Sequence, residues 1–292
     1  MNSSPLPSYH LPPDLTSALT LLAEHGDSAK IVAGGQSIML LLRQGFLSPE
    51  TFVDISCISE LSTISTTDDA VHVGAATTYS SLETSPEIQH YPVLTDSLHV
   101  IADPQIRNLG TIGGALGHAD PSLDIVPPLL CLDANVVLKS LNATRAVPLS
   151  DFHIEYMTSD LSHDELIHSV TFNQPVGPHG GAYEKVANVE GGWPTVGVAA
   201  QVVLDDTLGV ISDVRLALAA VGDTAVRSPS VEQSIVGSDV SMDSISEASE
   251  AVSQDIDPLD DLSGSAEYKT HLAGVLCQRA LIKAINRAGG SL

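Results

Sequence analysis

Apolar residues recur at helical spacing near the start of the chain and then condense into a short continuous run. Pro12-Pro13-Asp14 precedes the helical pattern and His25-Gly26 follows it, and both are typical helix boundaries. Residues 30–33 have the length and composition of a strand. Ser37, a residue type that caps helices, stands before the apolar residues 38–43. The pattern therefore predicts a helix, a strand, a loop and a buried helix, in that order.

The middle of the chain alternates between segments of strand composition and segments with helical spacing of apolar residues. Strands are predicted at 51–54, 61–66, 71–74 and 136–139, with a turn at Asp68-Asp69. Helices are predicted at 78–84, 93–101 and 123–132. Two further segments, 147–152 and 165–172, complete the first domain. Residues 174–181 form the clearest cluster of proline and glycine, which break regular structure. We therefore predict a first domain over residues 1–176 and a second over residues 177–292.

The second domain opens with predicted strands at 182–186, 196–204 and 211–221, and Asp205-Asp206 is a hairpin turn signal between the last two. Between Arg227 and Lys269 the chain has no lysine or arginine, and its apolar residues recur at helical spacing. A last helix is predicted at 271–287. This order of elements predicts an α+β domain, in which an antiparallel sheet packs against helices.

The charge balance narrows the classes of partner. Asp and Glu total 36 against 12 Lys and Arg, which gives a formal net charge of −24. Nucleic acids and anionic membranes bind basic surfaces, so this balance excludes both as partners. Scarce lysine and spread acidity indicate a cytoplasmic protein of a salt-loving organism, with an ordinary acidic mesophilic protein as the alternative. No apolar stretch approaches the roughly 20 residues that a membrane span needs.

The cysteines and histidines predict no metal site. Cys57, Cys131 and Cys277 are isolated, and no CxxC pair occurs, so the chain encodes neither an iron–sulfur cluster nor a structural zinc site. We expect all three cysteines to be buried as small apolar residues. The eleven histidines show no spacing typical of metal ligands.

Two glycine-rich segments carry the candidate chemistry. One is Ala33-Gly34-Gly35-Gln36-Ser37, and the other begins Thr111-Ile112-Gly113-Gly114-Ala115. Glycine has no Cβ and tolerates unusual φ and ψ, so such loops let backbone N–H groups approach phosphate oxygens. The first segment lies between a predicted strand and a predicted helix, where helix N-terminal N–H groups favour an anion. The pair therefore predicts a pyrophosphate that is bound from two sides.

The sequence excludes two other nucleotide-binding motifs. A Rossmann site requires G-x-G-x-x-G at the start of a helix, and Gly34-Gly35 lacks that spacing. A Walker P-loop requires Gly-Lys followed by Ser or Thr, and that sequence does not occur in the chain.

The two glycine-rich segments resemble, in sequence and in order, those of the FAD-binding subunits of molybdenum hydroxylases. This is the family of carbon monoxide dehydrogenase and xanthine dehydrogenase. The resemblance runs through residues 31–38, 103–124, 183–199 and 264–281, and so spans nearly the whole chain. It implies a two-subdomain FAD-binding fold of the molybdopterin dehydrogenase and vanillyl-alcohol oxidase type. A smaller α+β domain follows in this fold.

The resemblance also implies how FAD is bound. Backbone N–H groups of residues 32–37 would bind one side of the pyrophosphate and those of 111–115 the other, with the Ser37 and Thr111 hydroxyls as further donors. Neither loop contains lysine or arginine, so neutral donors would hold the anion. The implied cofactor-binding residues are Ile31, Val32, Ala33, Gly34, Gly35, Gln36, Ser37, Ile38, Ile101, Thr111, Ile112, Gly113, Gly114, Ala115, Asp124, Ile167, Lys185 and Trp193.

Five of these residues have individual implied roles. Asp124 would accept hydrogen bonds from ribityl or ribose hydroxyls, and its alternative role is the N-cap of a helix that begins near residue 125. Ile101 and Ile167 would flank the flavin or the adenine, or else pack in the core. Lys185 would stabilise the anionic reduced flavin, or lie on a strand surface. Trp193 would stack on the flavin ring, or pack in the core.

The chain departs from the family pattern at four positions near the cofactor. Ala115 replaces the usual Asn, Gly117 replaces the usual Ala, and Asn188 and Gly192 stand where relatives often have Arg and Asp. We expect these departures to affect the electrostatics at the flavin edge, and with them the choice of electron acceptor, but not FAD binding.

The implied function is an FAD-carrying electron-transfer subunit. A large molybdopterin subunit would oxidise the substrate, and a small subunit with 2Fe–2S clusters would pass electrons to FAD. The whole complex would be a dimer of such heterotrimers. No residue of this chain is predicted to act as acid or base on the substrate. One alternative is a stand-alone flavoenzyme, for which Tyr183 or Glu184 would be the base, and another is a flavin-free structural subunit.

Overall fold

A computed structural model describes residues 6–67 and 70–292 of the chain, so the predicted turn at Asp68-Asp69 lies outside the described residues. The strands are β1 Ser8–His10, β2 Ala29–Val32, β3 Thr51–Asp54, β4 Ile64–Thr66, β5 Ala70–Gly74, β6 Asn135–Lys139, β7 Thr144–Pro148, β8 His153–Glu155, β9 Thr158–Ser159, β10 Leu166–Asn173, β11 His179–Ala187, β12 Pro194–Leu204, β13 Ile211–Ala219 and β14 Val226–Arg227. The helices are α1 Leu15–His25, α2 Ile38–Arg43, α3 Tyr79–Thr84, α4 Pro92–Val100, α5 Pro104–Arg107, α6 Ile112–His118, α7 Val126–Cys131, α8 Leu149–Phe152, α9 Pro229–Ile235, α10 Met242–Glu250 and α11 Ala266–Arg287.

The first layer is a parallel sheet in the order β1-β3-β2 with α1 packed on it. Asp14 caps α1, because its carboxylate accepts a hydrogen bond from the Ser17 N–H at 2.8 Å. Leu15, Leu19 and Leu22 recur on one face of α1 and are buried against the sheet. The predicted first helix is therefore confirmed as α1 and the predicted strand over 30–33 as β2, whereas β1 was not predicted.

The second layer is a five-stranded sheet in the order β4-β5-β10-β6-β7. Its neighbouring strands are antiparallel, and β10 lies at the centre between β5 and β6. Buried residues of α3, α4, α6 and α7 form one core with this sheet. The predicted strand over 61–66 is only partly confirmed, because Ser59–Ser62 forms a 3₁₀ helix before β4. Residues 147–152 divide between the end of β7 and the short helix α8.

The C-terminal sheet is an antiparallel meander in the order β11-β12-β13-β14. Its two faces lie in different cores, as the period-2 alternation of side chains requires. Val198 and Ala200 pack with the residues of α11, whereas Ala199 and Ala217 pack with the core that contains α7. The sheet is therefore covered on both faces, and the predicted α+β arrangement of this part of the chain is confirmed.

The structure corrects two predictions about burial and one about capping. Helix α2 has no buried residue, and Met39 and Leu40 are each about half exposed. Ser37 precedes α2, but its side chain makes no capping hydrogen bond, because its own backbone is already helical. Cys131 and Cys277 are buried as predicted, whereas Cys57 is exposed. Helix α2 lies against open clefts rather than against a sheet, which a hydrophobic pattern alone does not reveal.

Within the described residues, every helix is too short or too polar to cross a bilayer.

Candidate functional site

The first glycine loop presents a row of unused backbone donors. Strand β2 ends at Val32, and the chain turns through Gly35 with a φ of 73° before α2 begins. Within the described part of the chain, the N–H groups of residues 34–38 donate to no protein acceptor. Buried or semi-buried N–H groups are almost always paired. A row of unpaired donors at a helix N-terminus is therefore the chemistry of an anion site.

The second glycine loop uses most of its donors internally. Thr111 caps α6, and its hydroxyl oxygen accepts a hydrogen bond from the Gly114 N–H at 3.1 Å. The Ile112 N–H donates to Thr77, the Gly113 N–H to Ala75, and the Ala115 N–H to the Thr111 carbonyl. The expectation that residues 112–115 supply backbone donors to a phosphate is therefore wrong for this structure. The loop still offers the Thr111 N–H and hydroxyl, and it forms a wall of the site.

Glycine at position 34 is required by contact between the two loops. A Cβ built on Gly34 would lie 1.7 Å from the Leu109 carbonyl oxygen and 3.0 Å from the Gly110 Cα. No side chain fits in such a space, so Gly34 lets the first loop rest on the segment that leads into Thr111. Glycine is required at position 113 for a similar reason, because a Cβ there would lie 2.5 Å from the Ala75 Cβ. Both glycines therefore allow the close contacts that position the loops.

Two clefts meet at these loops. The tryptophan cleft, of about 310 Å³, is lined by Ile31, Ala33, Gly34, Gly35, Gln36, Ser37, Ile38, Leu40, Tyr79, Ile101, Ala102, Ile106, Gly110, Thr111, Gly114, Ala115, Leu123, Asp124, Gly191, Gly192 and Trp193. The histidine cleft, of about 400 Å³, includes His118, Lys30, Asp27, Glu165, Gly113, Gly117, Leu161, His163 and Ile167 in its lining. Ile31, Ala33, Ser37, Ile38 and Gly114 line both. The row of unused N–H groups therefore lies where the two clefts join.

The structure brings together most of the predicted site residues, but not all of them. Fifteen of the eighteen line at least one cleft. Ile101, Asp124 and Trp193 lie in the tryptophan cleft, and Ile167 lies in the histidine cleft. Val32, Ile112 and Lys185 line neither, and Ile112 is a core residue with 1% exposure. Trp193 is 54% exposed, so its alternative role as a core residue is wrong.

Asp124 is held in a buried hydrogen-bond network. One carboxylate oxygen accepts from the Tyr183 hydroxyl at 2.7 Å and the other from the Lys185 ammonium at 2.9 Å. Burial raises the pKa of Asp124, and the Lys185 charge and the two hydrogen bonds oppose that rise. Asp124 does not cap α7, whose N-cap residue is Ile125 and which has no side-chain cap. The alternative role of Asp124 as an N-cap is therefore wrong.

Lys185 lies behind the wall of the tryptophan cleft. Its side chain is 9% exposed and forms an ion pair with Asp124. Its ammonium also donates to the carbonyls of Val100 and Gly192, each at 2.9 Å. The alternative role of Lys185 as a strand-surface residue is therefore wrong, because the side chain is buried between two parts of the chain.

Three residues at the site were not predicted from the sequence. Arg107 donates to the carbonyls of Ile101 at 2.9 Å and of Ala102 at 3.4 Å. Ala102 has a φ of 45°, which is unusual for a residue with a Cβ. Tyr79 is buried beside the cleft, and burial raises its pKa. Arg107 lies within residues 103–124, which resemble the family, so that resemblance could have identified it. Nothing in the sequence marks Ala102 or Tyr79.

The arrangement fits a long ligand with an anionic centre. Neutral N–H donors lie at the centre, and largely apolar clefts extend on either side of them. His118 faces the histidine cleft, and burial lowers its pKa so that the ring is mostly neutral near pH 7. Three or more His, Cys, Asp or Glu side chains do not come together as a metal site anywhere in the described residues.

Comparison with known proteins gives matches along nearly the whole chain. Residues 3–175 match the family model described as the FAD binding domain in molybdopterin dehydrogenase, and residues 181–284 match the CO dehydrogenase flavoprotein C-terminal domain. The chain is 38% identical over 274 residues to the 6-hydroxypseudooxynicotine dehydrogenase complex subunit alpha of Paenarthrobacter nicotinovorans, covering 93% of this chain and 92% of that protein. It is 34% identical to the carbon monoxide dehydrogenase medium chain of Hydrogenophaga pseudoflava, covering 94% and 95% of the two chains.

The structural comparison agrees with the sequence comparison. The structure of a carbon monoxide dehydrogenase from Hydrogenophaga pseudoflava that lacks the Mo-pyranopterin moiety superposes with a TM-score of 0.93 at 34% sequence identity. The superposition covers 97% of this chain and 98% of that chain.

Proposed function

Since this chain belongs to the family of FAD-binding medium subunits of molybdenum hydroxylases, we propose that it passes electrons from the 2Fe–2S clusters of a partner subunit through FAD to an acceptor. The partners are a large molybdopterin subunit, which oxidises the substrate, and a small iron–sulfur subunit. FAD supplies a centre that takes up electrons and delivers them in pairs to the acceptor.

The observation that carries the proposal is the row of unused N–H groups at residues 34–38 where the two clefts join. These donors would hold the FAD pyrophosphate, with the Thr111 N–H and hydroxyl on the opposite side. The flavin would occupy the tryptophan cleft and the adenosine the histidine cleft, where Ile167 lies. A long ligand with a diphosphate in its middle matches this arrangement.

The division of the chain belongs to the same proposal. We assign FAD binding to residues 1–176 and the covering flavoprotein domain to residues 177–292. Strand β10 ends at Asn173 and β11 begins at His179, which supports a boundary between them. The cytoplasm is the proposed location, and the three unpaired cysteines support a reducing compartment.

A stand-alone flavoenzyme would need a base that faces the flavin. Tyr183 is buried and donates its hydroxyl hydrogen to Asp124, and Glu184 pairs with Lys283. Neither residue lines the described clefts. A flavin-free structural subunit would leave the N–H groups of residues 34–38 without a purpose. Both alternatives are therefore less well supported than the electron-transfer subunit.

The test uses the whole chain and its partner. The purified protein is examined for a flavin spectrum, and the released cofactor is identified after denaturation. It is then mixed anaerobically with the small iron–sulfur subunit from the same source, which has been reduced with dithionite and desalted. We expect FAD to be present and to be bleached by the reduced partner.

Two outcomes would contradict the proposal. Reduction of the flavin by a small organic substrate without any partner would indicate a stand-alone enzyme. A folded, colourless chain that does not take up added FAD would indicate a structural subunit.

A further inference from the structure

The ammonium of Lys185 joins three separate segments of the chain. It donates at 2.9 Å to the Val100 carbonyl at the end of α4, to the Asp124 carboxylate, and to the Gly192 carbonyl before β12. A lysine ammonium has three N–H donors, so these acceptors use all of them. With 9% of the side chain exposed, Lys185 has no hydrogen-bond donor left for a ligand.

Each of the three segments supplies a wall of the tryptophan cleft. Val100 precedes Ile101, which lines the cleft, and Asp124 lines the cleft itself. Gly192 and the Trp193 that follows it also line the cleft. Lys185 does not line the cleft. It therefore holds the walls from behind, which differs from the expected role of a cation that faces the flavin ring.

The loop over residues 188–193 receives a hydrogen bond from this lysine. Within the described residues, no other side chain hydrogen-bonds to positions 188–192, where Gly191 has a φ of 71°. A Cβ on Gly191 would lie 2.7 Å from the Ala102 carbonyl oxygen, so the loop rests directly on the turn that follows α4. A segment with two adjacent glycines and few hydrogen bonds is easily displaced.

The turn beneath the loop is itself held by cations. Lys185 binds the Val100 carbonyl, and Arg107 binds the carbonyls of Ile101 and Ala102. Ala102 has a positive φ of 45°, a conformation that persists only when its surroundings enforce it. The loop, the turn and Asp124 therefore form one wall that is fixed in advance of ligand binding.

We propose that Lys185 is a positioning residue that fastens the 188–193 loop, and with it Trp193, onto the wall of the flavin site. This inference rests on the proposed function for the identity of the ligand, but the position of the loop is a property of the chain alone. Lys185 orders the site so that little ordering remains to be done when the cofactor binds.

The chain offers a direct reporter, because Trp193 is its single tryptophan. In the FAD-free chain, we expect Lys185→Met to shift the Trp193 emission to longer wavelength and to increase its quenching by acrylamide. We also expect FAD affinity to fall about tenfold, which corresponds to ~1.4 kcal/mol. Lys185→Arg, which keeps the charge beside Asp124, should restore part of the affinity.

A second variant separates the loop contact from the loss of a buried ion pair. Lys185→Met leaves Asp124 without its cation, which could destabilise the fold. The double variant Lys185→Met with Asp124→Asn removes both charges, and it too should show the shifted and more quenchable Trp193 emission. FAD affinity is not used for this variant, because Asp124 lines the cleft.

Lys283→Met is the matched control. Lys283 pairs with Glu184, the neighbour of Lys185 on β11, and with Asp96, but it does not line either described cleft. Unchanged emission in this control, with a change in the Lys185 variants, supports the proposal. Wild-type emission and quenching in Lys185→Met and in the double variant would overturn it, as would an equal change in the control. A wild-type chain that fails to bind FAD would contradict the proposed function and leave the emission test intact.

Discussion

At the scale of single residues, the site depends on glycines for contacts between parts of the protein. Gly34 lies against the backbone of Leu109 and Gly110, and a Cβ would meet the Leu109 oxygen at 1.7 Å. A methyl group there must push the two loops apart, because a carbonyl of the main chain cannot move aside as a flexible side chain can. The donors at residues 34–38 and the Thr111 hydroxyl would then no longer face the same anion.

Gly34→Ala should therefore weaken FAD binding while leaving the rest of the fold in place. Forcing an extra methyl group into a packed site costs about 1–3 kcal/mol, so we expect the FAD dissociation constant to rise roughly 5- to 150-fold. Titration of the FAD-free chain, followed by flavin fluorescence, measures it. Gly222→Ala is the control, because the nearest heavy atom to a Cβ there is 3.8 Å away. Equal affinities for the two variants would show that loop contact is not what positions the donors.

The residue types of the site were predictable, but several of their contacts were not. The glycine segments and Asp124 were identified from the order of motifs. The partners of Asp124 lie 59 and 61 residues further along the chain, and such distant pairing has no signature in local sequence. For the same reason, the resemblance implies a Lys185 that faces the flavin, whereas the ammonium donates its hydrogen bonds to three groups of the protein itself.

At the scale of elements, Asp96 connects α4 to the C-terminal sheet and helix. Its carboxylate accepts two hydrogen bonds from Arg287 of α11, at 2.7 and 3.0 Å, and one from the Tyr183 N–H of β11 at 3.2 Å. The Lys283 ammonium lies 3.1 Å away. Burial by itself would raise the pKa of Asp96, but the hydrogen bonds from Arg287, Tyr183 and Lys283 outweigh it and hold the pKa below its ordinary value.

This contact predicts a defined pH dependence of stability. Because the folded-state pKa of Asp96 is lowered, its contribution is fully present above the unfolded pKa of about 3.9 and is lost as the pH falls through the folded pKa. Asp96→Asn should lower the free energy of unfolding at pH 7 by roughly 1.5–3 kcal/mol, the range for hydrogen bonds to a charged group. Its deficit relative to the wild type should shrink as the pH falls below about 4.

Denaturant unfolding at a series of pH values measures this difference. Asp213→Asn is the matched control, because Asp213 pairs with Arg215 at a side chain that is 49% exposed, and surface ion pairs contribute little. A deficit of Asp96→Asn that stays constant down to pH 3 would mean that packing, rather than the carboxylate charge, accounts for the loss.

Most elements could be predicted from the pattern of apolar residues, and the failures have a physical reason. The long strands β12 and β13 and the helices α1 and α11 carry strong, sustained periodicity. Helix α2 has an equally apolar sequence but no buried residue. Ile38, Leu40 and Leu41 of this helix line the clefts, so the pattern that usually indicates a core here indicates a binding site.

At the scale of the whole molecule, the chain and its proposed ligand both carry a negative charge. The chain carries a formal net charge of −24, and FAD brings a pyrophosphate that is itself anionic. Among the described residues that line the clefts, the carboxylates are Asp27, Asp124 and Glu165, and the basic side chain is Lys30. Lys185 and Arg145, which pair with Asp124 and Glu165, lie outside the lining. The proposed phosphate donors are uncharged N–H groups. The origin of the chain in a salt-loving organism stays a prediction.

This balance predicts that salt strengthens FAD binding, the reverse of the usual result for phosphates held by lysine or arginine. Raising KCl from 0.1 to 1 M shortens the Debye length from about 10 to 3 Å, which screens the repulsion between the acidic chain and the ligand while leaving the short N–H contacts in place. We expect the FAD dissociation constant of the FAD-free chain to fall several-fold over this range, as measured by fluorescence titration. Riboflavin, which has the same ring and no phosphate, is the control. The effect of salt on riboflavin binding reports how much salt strengthens apolar contacts alone. The increase in affinity for FAD should exceed the increase for riboflavin. A dissociation constant for FAD that rises with KCl would show that cations hold the pyrophosphate, and the assignment of neutral donors would then be wrong.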